Sequence, residues 1–315
     1  MPQNIRPAGP RFRRPAGFAS VVSLLFAVAP YAAPVWAQER KAETPTAEKP
    51  SEAAEKLIVI RRGDVPVILS APHGGRKPVP GAAERKGEGA RKFVTVRDDN
   101  TAELAEALAE RVEKALGGKP YIVIAHFERK YADVNRSADD GVESDAARPV
   151  YERYHKALRE ACDDVRKRWG TGLLLDLHGQ GGEPDALLRG TDNGKSVLGM
   201  LERHGPAALV GPKSVFGALS AKGYRTLPVP ESGKPGPAGT IGTETKLSGA
   251  YIVHTYGSSR DDGLDVIQME FGGKLRAKGT LEKTASDVAD AIKTYAAEYL
   301  PKKEKDEKTG AKPGK

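Results

Sequence analysis

The sequence predicts an α/β sandwich built around a largely parallel sheet, and three observations predict it. Between Leu57 and Leu300, short apolar runs alternate with longer stretches whose apolar residues recur at helical spacing, the pattern of strand–helix–strand units. Runs such as Tyr121–Ala125 are continuously apolar, as strands covered on both faces must be. Two runs open directly onto histidine and glycine, at Ser70-Ala71-Pro72-His73-Gly74-Gly75 and at Asp176-Leu177-His178-Gly179. Both histidines therefore fall at the carboxyl edge of the sheet, where ligands sit in open α/β folds.

Taken in order, residues 57–60 and 65–69 read as strands, and a glycine- and lysine-rich loop spans 81–92. Residues 98–116 form a helix on Leu104, Leu108, Val112 and Leu116, stopped by Gly117-Gly118. The strand 121–125 leads through a turn to Asp133-Val134-Asn135-Arg136, and 150–169 is a second helix. Residues 172–177 are a strand that opens onto His178. The stretch 183–248 is rich in glycine and proline with short helical pieces near 197–204 and 215–222, and its loop 233–242 has the length of a lid. Residues 249–256 and 264–271 read as two further strands, and 281–300 closes the domain as a helix.

The ends of the chain read differently from its middle. Arg6, Arg11, Arg13 and Arg14 precede an apolar run over 18–33 and then Val35-Trp36-Ala37. That is the layout of a secretory signal peptide cleaved before Gln38, too short and broken for a membrane span. The expectation is thus a signal peptide at 1–37, a polar linker at 38–55, the folded domain at 56–300 and a basic disordered tail at 301–315. An exported, periplasmic or extracellular protein with no stable membrane insertion after cleavage follows. The four leader arginines, and six tail lysines against three acids, account for nearly all of the net charge of +8. The domain itself is close to neutral, so the charge gives no reason to expect nucleic acid as a partner. The single cysteine, Cys162, shares a helical stripe with Tyr154, Leu158 and Val165 and reads as a small buried hydrophobe.

Two histidines on two strand ends point to a metal, since imidazole is the common nitrogen ligand of zinc and catalytic zinc takes three protein ligands with one position open. Asp98 and Asp99, at a helix start, are the carboxylates available for the third place, although acids there also suit the helix dipole. Glu270 shares one face of an apolar strand with Val266 and Gln268, where a carboxylate is costly unless paired or functional, and where burial raises its pKa toward the range useful for proton transfer. Arg136 offers a guanidinium fork for a substrate carboxylate. Asp176, on the same strand face as His178, can orient that ligand from behind. Arg129 and Asp133 read as a surface ion pair, and His155 as a core histidine.

The ordered set Pro72-His73-Gly74-Gly75, Asp98-x-x-Thr101, Asp133-Val134-Asn135-Arg136, Tyr154-His155, Asp176-Leu177-His178-Gly179, Gly249-Ala250-Tyr251, Tyr256-Gly257 and Ile267-Gln268-Met269-Glu270 resembles the N-formylglutamate amidohydrolase family over about residues 57–300. That family is related to the zinc carboxypeptidase and succinylglutamate desuccinylase group. The resemblance implies a three-layer α/β/α sandwich around a mixed, largely parallel sheet. It implies His73, Asp98 and His178 as ligands of one divalent ion, zinc by analogy, with Asp99 the alternative to Asp98. It gives Glu270 the role of general base and acid, and Asn135 and Arg136 the substrate carboxylate. The carboxypeptidases place a glutamate three residues after the first histidine, where this chain has Arg76, so the third ligand must come from the Asp98 region.

The function expected is hydrolysis of the amide of an N-acyl amino acid or small peptide-like substrate. Two alternatives are an exported protein that binds a carboxylate ligand on an inactive hydrolase scaffold, and a cell-wall metallopeptidase. The export signal fits poorly with a cytoplasmic role in histidine breakdown, so the reaction class transfers more safely than the substrate.

Overall fold

The computed structural model describes residues 52–90, 92–230 and 240–302. Its strands are β1 (Ile58–Arg61), β2 (Val67–Ala71), β3 (Tyr121–Ala125), β4 (Leu173–Gln180), β5 (Ala186–Gly190), β6 (Arg225–Leu227) and β7 (Asp265–Gly272). The helices are α1 (Glu52–Lys56), α2 (Thr101–Leu116), α3 (Ala138–Gly141), α4 (Arg148–Trp169), α5 (Leu198–His204), α6 (Ala207–Val210), α7 (Val215–Ala221), α8 (Tyr251–Tyr256) and α9 (Leu281–Tyr299). The strands form one seven-stranded sheet in the order β1-β3-β2-β4-β7-β5-β6. The central four, β3, β2, β4 and β7, run parallel. At the edges β1 is antiparallel to β3, and β5 is antiparallel to β7 while carrying β6 parallel beside it. The sheet is therefore mixed and mostly parallel, as expected.

Strand pleating sorts the side chains into two cores. Val67, Leu69, Leu173, Leu175, Leu177, Ile267, Met269 and Phe271 face α2, α7 and α9, whose stripes include Leu104, Leu108, Leu219, Val288 and Ile292. Ile68, Val123, Leu174 and Val266 face α4 and α8, which bring Tyr154, Leu158, Cys162, Ile252 and Tyr256. Three layers result. Helix α2 ends at Gly117, left-handed at φ 67°, whose N–H returns to the Glu113 carbonyl, a glycine stop that closes an orphan acceptor. Cys162 is buried, and burial pushes its thiol up to about 12; it is the inert core residue its stripe suggested.

Several expectations are corrected here. Residues 249–256 do not form a strand: Tyr251–Tyr256 is helix α8. A short apolar run carries no decisive period, and the N–H groups at the start of α8 find acceptors in the Gln268 and Asn135 side chains, partners that only the fold supplies. Strands β5 and β6, hidden in the glycine- and proline-rich stretch, form by pairing β5 on β7 and β6 on β5. Helix α2 begins at Thr101, not Asp98, because Asn100 turns left-handed at φ 64°. The strand expected to stop at 177 runs on to Gln180, so His178 lies inside β4. At the start of the domain, residues 52–55 of the expected linker belong to α1, with Ala54 buried. The expected signal peptide and tail, and residues 231–239 of the expected lid, lie outside the described residues. Among the described residues no helix is long and apolar enough to cross a membrane.

Leu108 is fully buried between α2 and the sheet. Leu108→Ala is expected to cost about 2–5 kcal/mol of stability, read as a lowered midpoint with unchanged slope in urea unfolding.

Candidate metal centre and cleft

The site is built at the carboxyl edge of the central strands, on the face covered by α4 and α8. In register across the sheet, Ser70 of β2 pairs with Asp176 of β4, and Asp176 with Gln268 of β7. Two residues further along the same face, His178 pairs with Glu270. His73 follows the end of β2 by two residues, and Gly74 lets the start of α2 come in close, since a Cβ there would collide with the Ala102 backbone. The Asp98 N–H donates to the His73 carbonyl at 3.1 Å, and the Asp98 carbonyl accepts from Thr101 Oγ1 at 2.8 Å. That turn aims the Asp98 side chain at the two histidines.

Three donor atoms converge. His73 Nδ1 lies 3.1 Å from His178 Nδ1 and 3.4 Å from Asp98 Oδ2. His178 Nδ1 is 3.2 Å from the same oxygen. A tetrahedral zinc ion with bonds of about 2.0–2.1 Å separates its donors by roughly 3.3–3.4 Å, so the triangle has the size of one zinc coordination face. The chemistry of the donors agrees. His73 Nε2 is 2.7 Å from Asp133 Oδ1, and His178 Nε2 is 2.8 Å from Asp176 Oδ2. A carboxylate at Nε2 holds the proton there and leaves the Nδ1 lone pair facing the centre. Two lone pairs and a carboxylate oxygen then point at one spot, which needs a positive charge, either a proton or a metal ion.

The electrostatics carry the same message. Burial works against the charge on His178, but Asp176, Asp98 and Glu270 outweigh it and raise its pKa well above the usual histidine value. Burial likewise opposes ionisation of Asp98, yet the closeness of His178 and His73 holds it below the usual carboxylate range. Asp133 behaves in the same way beneath His73 and Arg129. Arg129 and Asp133, expected on the surface, are buried: Arg129 Nη2 donates to Asp133 Oδ2 at 2.5 Å, and the Asn135 N–H reaches Asp133 Oδ1 at 3.0 Å. Ser70 Oγ donates to Asp176 at 2.6 Å. Each orienting carboxylate is thus itself held.

Asp98 and Asp99 point in different directions. Asp99 points outward and pairs with Arg97 Nη2 at 2.5 Å, whereas Asp98 is buried and also accepts the Gly179 N–H at 3.1 Å. Glu270 is 7% exposed beside His178. Burial raises its pKa, partly offset by the charge on His178. Gln268 Nε2 donates to Glu270 Oε1 at 2.8 Å, and Gln268 Oε1 accepts the Ala250 N–H at 3.0 Å, which fixes the amide orientation.

Asn135 is oriented similarly by the Ile252 N–H at 2.9 Å on its Oδ1. Its Nδ2 lies 3.3 Å from His178 Nε2, but that nitrogen's proton is committed to Asp176. The amide therefore keeps its own donors for a ligand. Arg136 Nη1 donates to the Asn135 carbonyl at 2.7 Å. All six predicted site residues (His73, Asp98, Asn135, Arg136, His178 and Glu270) line one cleft of about 800 Å³. Arg276, which no motif marked, lines it too. It lies beyond the apolar period of β7, among residues that read as an ordinary polar loop.

The chain is similar in fold to the crystal structure of N-formylglutamate amidohydrolase from Ralstonia eutropha JMP134, with a TM-score of 0.52 and 17% identity over 78% of this chain and 98% of that one. It is also similar to the crystal structure of a gene product of Agrobacterium tumefaciens, with a TM-score of 0.47 and 14% identity over 78% and 96% of the two chains. The first is the fold of the family that the sequence motifs resemble. No family model and no curated protein matches the sequence.

A divalent ion entering the triangle must displace the proton that the raised His178 pKa retains. Zinc affinity is therefore expected to fall as pH drops below that value, by about tenfold per pH unit for each proton displaced. Asp176→Asn and Asp133→Asn, which loosen one imidazole each, are expected to weaken zinc binding by about 10–100-fold. Competition against a chromogenic chelator measures both effects.

Proposed function

We propose that the protein is a metal-dependent amidohydrolase that cleaves the amide of an N-acyl amino acid or short peptide-like substrate bearing a free carboxylate. The observation that carries the reading is the zinc-sized triangle of His73 Nδ1, His178 Nδ1 and Asp98 Oδ2 with Glu270 next to it in register. The likeness in fold to an N-formylglutamate amidohydrolase is compatible with it. His73, Asp98 and His178 would hold one divalent ion, for which this nitrogen-rich donor set suits zinc, and the ion supplies Lewis acidity that acidifies water and polarises a carbonyl.

The remaining work belongs to the chain's own side chains. Glu270 takes a proton from the attacking water and passes it to the amide nitrogen as the carbon–nitrogen bond breaks, yielding a carboxylic acid and an amine. Its raised pKa suits both directions of transfer, and the Gln268 amide aims Oε1. Arg136 binds the substrate carboxylate, and the free Asn135 Nδ2 donors hold a substrate oxygen. A scaffold kept only for binding has no use for a buried carboxylate beside His178, which argues for catalysis over the inactive alternative. We further read the protein as exported, from residues 1–37 alone.

Glu270→Gln is expected to lower kcat on an N-acyl amino acid by about 10²–10⁴-fold while zinc content and KM stay near wild type. Wild-type turnover by this variant would remove Glu270 from the mechanism. The mature protein recovered from its native host is expected to begin at Gln38, as N-terminal sequencing would read.

A further inference from the structure

We propose that Val94 and Val96 form an apolar subsite in the cleft, so that the amino acid released by hydrolysis carries an apolar side chain; this rests on the hydrolase reading above. The starting observation is an apolar loop held open to water at the edge of the site. Among the described residues the exposed large hydrophobic side chains are Phe93, Val94, Val96, Leu198 and Val229, so three of the five fall in one short loop. Val94 and Val96 line the cleft, together with Lys92 and Arg97, whereas Phe93 and Thr95 do not. Alternate side chains thus face the cleft, as in an extended segment.

Phe93, on the other side, anchors the loop. Its ring centroid lies 5.2 Å from Cζ of the buried Arg85. Gly87, left-handed at φ 80°, packs so close that a Cβ there would stand 2.4 Å from Phe93 Cγ. Two arginines hold the ends. Arg136 Nε lies 3.4 Å from the Lys92 carbonyl oxygen, and Arg129 Nη1 lies 3.5 Å from that of Val96 and 3.8 Å from Asp98 Oδ1. The loop therefore runs from Arg136 to the candidate metal centre. Valine has little rotamer freedom to lose, and covering its methyl groups with an apolar ligand is favourable. Substrate geometry decides which part of the ligand does so. In an N-acyl amino acid the carbon bearing the side chain is bonded both to the carboxylate carbon and to the amide nitrogen. With the carboxylate at Arg136 and the amide at the centre of His73, Asp98 and His178, the side chain leaves the substrate between those two points. That is the interval the loop spans. The cleft of about 800 Å³ has room for a bulky side chain there.

Leucine and asparagine separate the reading cleanly, because their side chains have the same branched outline and differ in polarity. The zinc-loaded protein is given the N-formyl and N-acetyl derivatives of each, in the L form. It is expected to favour leucine over asparagine by about 10-fold in kcat/KM. Val94→Ser combined with Val96→Ser is expected to bring that ratio close to one, and Val94→Ile combined with Val96→Ile to keep it. Both positions are exposed, so these changes leave the core intact. A wild type without the preference, or a serine variant that keeps the wild-type ratio, overturns the subsite. If the zinc-loaded protein hydrolyses none of these amides, the hydrolase reading fails. Calorimetric titration with the same four compounds then decides the subsite separately. Tighter binding of the leucine derivatives that is lost in the serine variant supports it, and equal or undetectable binding of the two amino acids overturns it.

Discussion

Everything at the cleft depends on two carboxylates buried behind two imidazoles. Asp133 and Asp176 are fully buried, and an ionised carboxylate in such a place costs several kcal/mol unless its lone pairs are met. Asp133 is met by His73, Arg129 and the Asn135 N–H; Asp176 is met by His178 and Ser70. With their Nε2 atoms so engaged, both imidazoles turn Nδ1 toward Asp98, and their rings meet edge to face at 4.8 Å between centroids. Asp98, Asp133 and Asp176, with the buried Arg129 and Arg85 beside Asp133, surround the two imidazoles. In the proposed hydrolase, the cost of burying those acids makes the centre attractive to a divalent ion.

Strand register transmits this arrangement to the rest of the site. Parallel pairing of β4 with β7 sets Asp176 beside Gln268 and His178 beside Glu270. A slip of one residue would turn the whole polar row toward α2 and α9 and bring leucines to the cleft. Gln268 and Asn135 each serve two structures at once. Their side-chain oxygens accept N–H groups at the start of α8, and their amide nitrogens face Glu270 and the cleft. Helix α8 is thus seated by the site itself, and its Tyr251 forms part of the cleft wall.

Much of the chemistry was legible locally. His73 and His178 stood out because each lay where a strand met glycine, and Glu270 because a carboxylate interrupted an apolar strand face. Asp176 was marked by its two-residue offset from His178, and the structure puts it against that ring. Asp98 could not be told from Asp99 by pattern, since adjacent acids at a helix start look alike; the left-handed turn at Asn100 and the pull of two imidazoles separate them. The Arg129–Asp133 pair looked like any charged pair four residues apart until the fold closed over it.

By itself the sequence determined the layered α/β class, the central strands, the long helices α2, α4 and α9, and the residue types able to bind a metal and move a proton. Those follow from periodicity and composition, which are properties of neighbours along the chain. The tertiary structure alone decided that 251–256 coil into a helix, that β5 and β6 exist, that Asp98 turns inward and that Arg276 lies against Gly179. In each case a deciding partner is far away in sequence: the Asn135 and Gln268 amides for α8, β7 for β5 and β5 for β6, His178 for Asp98, and the Asp99 carbonyl for Arg276. A local pattern cannot encode such choices, because the hydrogen bonds and charges that settle them exist only after distant strands have paired.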